Sequence, residues 1–299
     1  MKIVSLLPSA TELVYALGLG DRLAGVTFEC DHPVEAASKP VVSTTALPTD
    51  RPLAPAEIDG LVNEHMDRRA PLYSLDRERI AAIQPDLILT QDLCRVCAIP
   101  SGQVEDALAD LGCSSEVVSM DPRTLGDVLE SFLAVGMAAG AEARAEELVR
   151  SLRGRVDAVR ATAAPLPRPR TLALEWPDPP FVGGHWIPEM VTLAGGTNVL
   201  NDDGERSRTV TWAAIAEAEP EVVVYMPCGF GLADAERQGP AVVDALRRAG
   251  SGAPVYATDG SSYFSRPGPR LIHGLEILAW ALHPDHFPEP PVGRVRQVR

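Results

Sequence analysis

The cysteines are the residues of this sequence whose types and spacing best suit chemistry. The chain has five cysteines, and four of them follow segments that the sequence predicts to be strands: Cys30, Cys94, Cys97 and Cys228. Because the carboxyl ends of parallel strands meet at one edge of a sheet, we expect these four thiolates to converge and to bind zinc or an iron–sulfur cluster. Packing of small apolar side chains, or dithiol redox chemistry at the Cys94–Cys97 pair, are the alternatives. Cys113 ends a predicted helix and stands apart.

Aromatic residues form a second candidate set. Only 5% of the chain is Phe, Trp or Tyr, yet several fall in predicted loops of the second half: Trp176, Trp186, Phe230, Tyr263 and Phe264. Such side chains offer a bulky ligand a surface for stacking, although large aromatics also anchor proline-rich loops. His185 is a candidate metal or cofactor ligand, with packing beside Trp186 as the alternative. Glu29 and Arg266 are candidate polar contacts.

The elements that must position these residues occur twice along the chain. Residues 80–94 and 215–228 each contain a helix that ends near a proline, then an acidic residue, an apolar strand and a cysteine. Each half also opens with a strand, at residues 2–7 and 170–175. Strands alternating with helices predict parallel βαβ units that bind ligands beyond the carboxyl ends of their strands. We therefore expect an α/β protein of two Rossmann-like lobes with parallel sheets and a ligand cleft between the lobes.

A long helical pattern separates the two halves. From Pro122 to Thr162, apolar residues recur at helical spacing among residues rich in Ala, Glu and Arg. This pattern predicts a long rigid helix that joins the lobes, with Gly136 or Gly140 as the point where it bends or splits. The expected organisation is an N-terminal α/β lobe over residues 1–120, a connecting helix over 121–164 and a C-terminal α/β lobe over 165–299.

Three local expectations follow from short motifs. Ser9–Glu12 has the form of a capping box and predicts the start of the first helix. Residues 240–249 predict a helix in the second half. The tail from Pro288 is expected to be poorly ordered, as chain ends commonly are.

Composition and charge exclude several classes of protein. With 41 acidic and 27 basic residues, the net charge is −14, which disfavours binding to nucleic acid or to an anionic membrane. No apolar run approaches the roughly 18 residues that cross a bilayer, so membrane insertion is not expected. Residues 3–7 are too few for the roughly 7–15-residue core of a signal peptide, so the expected location is cytoplasmic. Hydrolase and phosphate-loop motifs are absent from the sequence, and catalysis has no support beyond the cysteines.

The opening segment, Ile3–Gly20, resembles that of the substrate-binding proteins of cobalamin, siderophore and haem uptake systems. Residues 84–89, with the sequence Gln-Pro-Asp-Leu-Ile-Leu, and the segment Glu189–Gly196 resemble the same family. The resemblance covers nearly the whole chain, and the cobalamin-binding branch is the one that it resembles most. It implies two Rossmann-like lobes joined by a rigid helix, with the ligand between them.

The resemblance also implies a partner. Members of this family are exported or tethered outside the cell, and they commonly dock on an ABC permease through one glutamate in each lobe. Glu78 matches the position in the first lobe, whereas Ala213 stands at the position in the second lobe. The match to an ABC permease partner is therefore incomplete.

Two hypotheses of different classes follow. The first is a non-catalytic, cytoplasmic binding protein that holds a corrinoid (cobalamin-like) or similar bulky cofactor in the cleft. Its ligand contacts would be Glu29, Trp176, His185, Trp186, Phe230, Tyr263, Phe264 and Arg266. The second is a metalloprotein, with or without enzymatic activity, whose iron–sulfur cluster or zinc ion is bound by Cys30, Cys94, Cys97 and Cys228.

Overall fold

Strands and helices alternate along most of the chain, which confirms the predicted α/β class. The computed structural model describes residues 1–51, 53–68, 70–92, 99–111 and 114–298. Contacts divide the chain into two compact units. Unit 1 comprises Met1–Pro122 with Asp127–Arg150, and unit 2 comprises Arg123–Gly126 with Ser151–Arg299.

Unit 1 is built on a parallel sheet. Its elements in chain order are β1 (Ile3–Ser5), α1 (Pro8–Ala16), β2 (Leu23–Val26), β3 (Ser43–Thr45), α2 (Pro55–Asp67), β4 (Tyr73–Leu75), α3 (Arg77–Ile83), β5 (Leu87–Thr90), α4 (Ser101–Leu111) and β6 (Glu116–Ser119). The strands pair in the order β2-β1-β5-β6, all parallel, and β3 pairs antiparallel with β4 in a separate ribbon. Apolar side chains of β1, β5, α3 and α4 form a buried core against this sheet.

The connecting segment consists of two helices, so the predicted long helix is split at one of the two glycines named for a bend or a split. They are α5 (Leu125–Ala138) and α6 (Glu142–Ala163). The division falls at Gly140, whose φ of 62° is the left-handed conformation that ends a helix and that glycine adopts without strain. Gly136 lets the second helix approach closely, because a Cβ there would lie 2.3 Å from the Cβ of Ala145.

Unit 2 is built on a mixed sheet. Its remaining elements are β7 (Arg170–Pro177), β8 (Pro180–Val182), α7 (Ile187–Leu193), β9 (Thr197–Asn198), β10 (Arg208–Thr209), α8 (Trp212–Glu217), β11 (Val222–Tyr225), α9 (Leu232–Arg248), β12 (Val255–Thr258), α10 (Gly260–Tyr263), α11 (Leu271–Leu282) and β13 (Val295–Val298). The order is β10-β8-β7-β11-β12-β13, with β9 paired to β7. Strands β7, β11 and β12 are parallel as predicted. Of the other strands, β8 pairs antiparallel with β7, β10 with β8, and β13 with β12.

The prediction of a poorly ordered tail is wrong for residues 295–298. These residues form β13, which pairs antiparallel with β12 through Val255↔Val298 and Thr258↔Val295. Val298 packs against Gly239 of α9, where a Cβ would come within 2.8 Å of its methyl groups. The tail is therefore held both by strand pairing and by side-chain packing.

Two predicted helix starts are also wrong. Helix α1 begins at Pro8, without a side-chain cap, so Ser9 lies inside the helix and forms no capping box. Proline suits this first position because its φ is preset and its missing N–H would have no partner there. Helix α9 begins at Leu232 and runs through Pro240, eight residues earlier than predicted.

The acidic residue of each sequence repeat accepts a hydrogen bond at the start of the first strand of its unit. In unit 1 the Asp86 carboxylate accepts a hydrogen bond from the amide of Lys2, at 2.6 Å, directly before β1. In unit 2 the Glu221 carboxylate accepts one from the amide of Arg170, at 2.8 Å, where β7 begins. The bond from Lys2 is the main cause that lowers the pKa of Asp86. Each carboxylate thus fixes the first strand of its unit beside the strand of the repeat.

Among the helices of the described residues, none combines sufficient length with sufficient apolar character to cross a bilayer.

Candidate functional site

The carboxyl ends of the three parallel strands of unit 2 are tied together by backbone hydrogen bonds. The amide of Cys228, after β11, donates to the carbonyl of Glu175 in β7, at 3.1 Å. The amide of Ser261, after β12, donates to the carbonyl of Phe230 at 3.0 Å. The loops that follow β7, β11 and β12 are therefore neighbours at the end of the sheet where α/β proteins bind ligands.

Trp176 and Phe230 form an aromatic pair at this end. Their ring centroids are 5.6 Å apart with an angle of 39° between the planes, and both side chains are half-buried. The indole Nε1 of Trp176 is buried and has no hydrogen-bond partner among the described residues. A buried donor without an acceptor costs free energy, and a bound molecule that supplies the acceptor relieves that cost. Sequence and structure agree on these two residues as a candidate binding surface.

Trp186 and Phe264 are also brought together, but as buried residues. The indole Nε1 of Trp186 donates to the carbonyl oxygen of Phe264 at 2.9 Å. The two residues retain 5% and 1% of their surface, so little of either ring is left for a ligand to touch. Burial to this extent favours the packing alternative, in which the pair supports the loops rather than lining the site.

His185 lies beside Trp186, with 5.6 Å between the ring centroids, in a strained loop. Its φ is 54°, a conformation that is uncommon outside glycine, and its amide and carbonyl bond to Glu205 and Gly204 at 2.5 and 3.0 Å. Burial, together with the charges of Arg206 and Arg123, lowers the pKa of His185. Its Nε2 is buried and lacks a partner within the part of the chain that the structure describes. The result is a neutral imidazole able to accept a hydrogen bond or to coordinate a metal.

Gly184 explains how His185 is held. A Cβ at Gly184 would lie 2.2 Å from the amide nitrogen of Ser207, so only glycine permits the loop around residues 205–207 to pass so close. This close backbone contact, with the two hydrogen bonds of His185, fixes the histidine against the loop.

Tyr263 is surrounded by basic groups that the sequence analysis missed. The Cζ atoms of Arg294 and Arg270 lie 5.2 and 5.8 Å from the centroid of its ring, within the range of cation–π contact. His273 meets the ring edge-on, with centroids 6.2 Å apart and 75° between the planes. Burial and the charge of Arg155 are the leading causes that lower the pKa of His273 to about 4. Arg294 escaped prediction because it lies in the tail that we expected to be poorly ordered.

Unit 1 has its own aromatic pair, which the sequence analysis also missed. Phe28, in the loop after β2, lies with its ring centroid 6.0 Å from that of Tyr73, and 38% of its surface is exposed. Glu29, a predicted polar contact, follows Phe28 and is exposed. Arg266 of unit 2 is half-buried.

Asp92, which precedes residues 93–98, is hydrogen-bonded to Ser101, which follows them. Its carboxylate accepts hydrogen bonds from the amide of Ser101 at 2.9 Å and from the hydroxyl of Ser119 at 3.1 Å. Burial acts to raise the pKa of Asp92, but the hydrogen bonds from these two serines lower it overall. The residue is thus an ionised carboxylate at the carboxyl ends of β5 and β6.

The cysteines are described only in part. Cys30 is buried, with its sulfur 3.0 Å from the hydroxyl of Thr11, and Cys228 is exposed after β11. Cys94, Cys97 and Cys113 lie outside the described residues. Within the described residues, no group of three or more His, Cys, Asp or Glu side chains is arranged to hold a metal ion. The four-cysteine site stays a prediction.

The two positions implied for permease docking correspond in the structure. Glu78 is the second residue of α3, after the capping residue Asp76, and Ala213 is the second residue of α8, after the capping residue Thr211. Both positions are exposed. The two units therefore carry different residues, glutamate and alanine, at equivalent positions of α3 and α8. Docking on a permease is not tested by this correspondence.

Known proteins match most of the chain. A family model described as "Periplasmic binding protein" matches residues 3–248. The uncharacterized ABC transporter substrate-binding lipoprotein YvrC of Bacillus subtilis (strain 168) is 28% identical, over 96% of this chain and 82% of that protein. A vitamin B12-binding protein of Vibrio cholerae serotype O1 (strain ATCC 39541 / Classical Ogawa 395 / O395) is 23% identical, over 92% of this chain and 86% of that protein.

Solved structures show the same fold. The periplasmic vitamin B12 binding protein BtuF of Vibrio cholerae has a TM-score of 0.65 and 22% identity, over 94% of this chain and 96% of that chain. A periplasmic heme binding protein from Pseudomonas aeruginosa has a TM-score of 0.72 and 21% identity, over 100% of this chain and 98% of that chain. At this level of identity, the similarity concerns the fold.

Proposed function

Because the chain belongs to the periplasmic binding protein family, whose model spans residues 3–248, we propose that it is a binding protein for a corrinoid or a chemically similar metal chelate. The family resemblance predicted from the sequence is confirmed by this match. Relatives described as binding vitamin B12 and heme support this ligand class, since both ligands carry a broad, largely apolar ring system around a metal.

The aromatic pair of Trp176 and Phe230 is the observation that carries this proposal. The pair lies at the carboxyl end of the unit 2 sheet, half-buried, with 5.6 Å between the ring centroids. Aromatic faces of this kind bind flat apolar surfaces through dispersion and exclusion of water. A sugar or an amino acid offers much less flat surface, so the pair favours a large ring system as the ligand.

His185 supports the same class of ligand. A corrinoid or haem presents a metal ion and polar substituents, and a neutral imidazole nitrogen is able to interact with either. The lowered pKa of His185 keeps the ring neutral at physiological pH, and its Nε2 is unpartnered among the described residues. We include His185 in the proposed site as a polar contact for the ligand.

Replacement of Trp176 by alanine is expected to weaken ligand binding by about 1–3 kcal/mol, or roughly 5- to 150-fold in Kd, the cost of one aromatic contact. Isothermal titration calorimetry with cyanocobalamin and with haemin measures the loss directly. Trp280→Ala is the matched control, because Trp280 is a half-buried tryptophan of α11 in the same unit that contacts Tyr256, with 5.9 Å between the centroids.

The outcomes of this titration are distinct. Binding by the wild type that Trp176→Ala weakens and Trp280→Ala leaves unchanged supports the proposal. Equal losses in both variants would mean that the effect comes from disturbed packing and that Trp176 is no ligand contact. A wild-type protein that binds neither compound contradicts the proposed function itself.

Two further points need separate tests. The first is the predicted cytoplasmic location, and the second is docking on an ABC permease, for which the sequence offers only the first of the two glutamates, Glu78. Fractionation of cells that produce the full-length protein tests the first, and co-purification with a permease, with and without Glu78→Ala, tests the second.

A further inference from the structure

The C-terminal strand brings an arginine to the carboxyl end of the unit 2 sheet. β13 pairs antiparallel with β12, and the amide of Asp259 donates to the carbonyl oxygen of Arg294 at 3.3 Å. Arg294 therefore lies beside the loop that follows β12, the same loop that hydrogen-bonds to Phe230 through Ser261. This part of the chain lies beyond residues 3–248, the region that the family model covers.

The side chain of Arg294 shares one aromatic ring with a second arginine. The Cζ atom of Arg294 lies 5.2 Å from the centroid of Tyr263, and that of Arg270 lies 5.8 Å from it. An aromatic ring attracts both guanidinium groups, and the N–H groups at the rim of the Arg294 guanidinium are able to donate. The two groups form a cationic surface around one ring.

The neighbouring carboxylates are engaged elsewhere. Glu276 is held by Arg155 in a bidentate pair of 2.9 and 2.7 Å, and Asp259 caps α10 through the amide of Ser262 at 2.8 Å. Within the described residues, Arg294 forms no ion pair. Arg294 is therefore a cation without a carboxylate partner among these residues, in a protein whose net charge is −14.

His273 responds to the charge of these arginines. Its ring lies against Tyr263, and its Nδ1 is buried without a partner among the described residues. Its pKa is lowered by burial first, and by Arg155, Arg294 and Arg270 in addition, whereas Glu276 acts in the opposite direction. An anion bound beside Tyr263 would oppose the positive field of the arginines at this histidine.

We propose that Arg294 and Arg270 form an anion subsite beside Tyr263, which binds a carboxylate or phosphate group of the ligand. Guanidinium groups bind both anions through paired, charge-assisted hydrogen bonds. The inference rests on the proposed function in one respect, namely that the anionic group belongs to the ligand bound at Trp176 and Phe230. Haemin carries carboxylates and cobalamin carries a phosphodiester, so either ligand class supplies such a group.

The test compares each charged ligand with a counterpart that lacks the anionic group. Arg294→Gln is titrated with haemin and haemin dimethyl ester, and with cyanocobalamin and dicyanocobinamide, which lacks the phosphate. We expect a loss of roughly 10- to 100-fold for the charged member of one pair and less than about 2-fold for its counterpart. A loss confined to haemin identifies a carboxylate, and a loss confined to cobalamin identifies a phosphate.

Arg296→Gln is the matched control. Arg296 lies two residues further along, on β13, but its guanidinium is ion-paired with Glu236 at 2.6 Å and its residue is exposed. We expect this variant to bind all four compounds as the wild type does. Equal losses for charged and neutral compounds in Arg294→Gln, or no loss for any of them, would overturn the anion subsite.

Inorganic phosphate separates failure of the subsite from failure of the proposed function. At constant ionic strength, phosphate is expected to raise the Tm of the wild type and of Arg296→Gln above that in chloride, and to have no such effect on Arg294→Gln. If the wild type binds none of the tetrapyrroles but shows this phosphate effect, the proposed function fails and the subsite stands. If phosphate stabilises all three proteins equally, Arg294 is not part of an anion site.

Discussion

Replacement of Trp186 by alanine is expected to lower the free energy of unfolding by about 3–5 kcal/mol, the range observed when a large aromatic is removed from a core. The residue retains 5% of its surface, and its indole nitrogen donates to the carbonyl of Phe264. The substitution would leave a cavity and a buried carbonyl oxygen without its donor. Urea unfolding followed by circular dichroism measures the change.

Trp186→Phe separates the two contributions. Phenylalanine fills most of the cavity but cannot donate to Phe264, so we expect a smaller loss of about 1–3 kcal/mol. The alternative role, a wall of the ligand site, predicts the opposite pattern. A Trp186→Ala protein with wild-type stability and greatly weakened binding to cyanocobalamin would show that the side chain contacts ligand.

Acidification is expected to destabilise the protein through His273. Its pKa is about 4 in the folded chain because burial and the neighbouring arginines disfavour the charged ring, against about 6.5 in an unfolded chain. Between these values the unfolded chain takes up a proton that the folded chain does not. The free energy of unfolding therefore falls as the pH is lowered from about 6.5 to about 4, and solvent screening of this partly buried ring keeps the contribution of His273 below about 3 kcal/mol.

Urea unfolding of His273→Gln at pH 7 and at pH 4.5 isolates this contribution. The variant is expected to lose less stability than the wild type over this interval, because glutamine does not titrate. Burial also lowers the pKa values of His185 and His283, so a residual decline in the same direction is expected. His286→Gln, at an exposed position, is the control for replacement of a histidine as such. Parallel declines in the wild type and in His273→Gln would contradict the assignment.

The sequence predicted those parts of the fold that depend on strong local patterns. Helix α11 (Leu271–Leu282) is such a part, because its residues are almost all apolar and buried. The parallel strands β5 and β11 were predicted from their apolar runs, each preceded by a proline and an acidic residue. The carboxylate of that acidic residue bonds to a strand more than 50 residues away in the chain, a contact that the sequence repeat indicated but could not identify.

The parts that were missed depend on tertiary contacts. The sequence of β13, Val-Arg-Gln-Val, is short and mostly exposed, and it becomes a strand because β12 offers an unpaired edge and Gly239 leaves room for Val298. Residue types alone placed Trp176 and Phe230 in one group of candidate ligand contacts, and the structure brings the two rings together. They gave no means of separating these accessible rings from Trp186 and Phe264, because burial depends on which loops cover which side chains. Arg294 was missed along with its strand.

The separation of β13 from β12 along the chain has a consequence for how the protein is made. The central strands of unit 2 are complete by Thr258, yet the strand that covers β12 is not available until residue 298 has left the ribosome. Until then β12 presents unpaired backbone groups, which favour association between chains. We expect nascent chains that stop before residue 295 to aggregate more than chains that include β13, because the sheet of unit 2 is completed only when β13 has been translated.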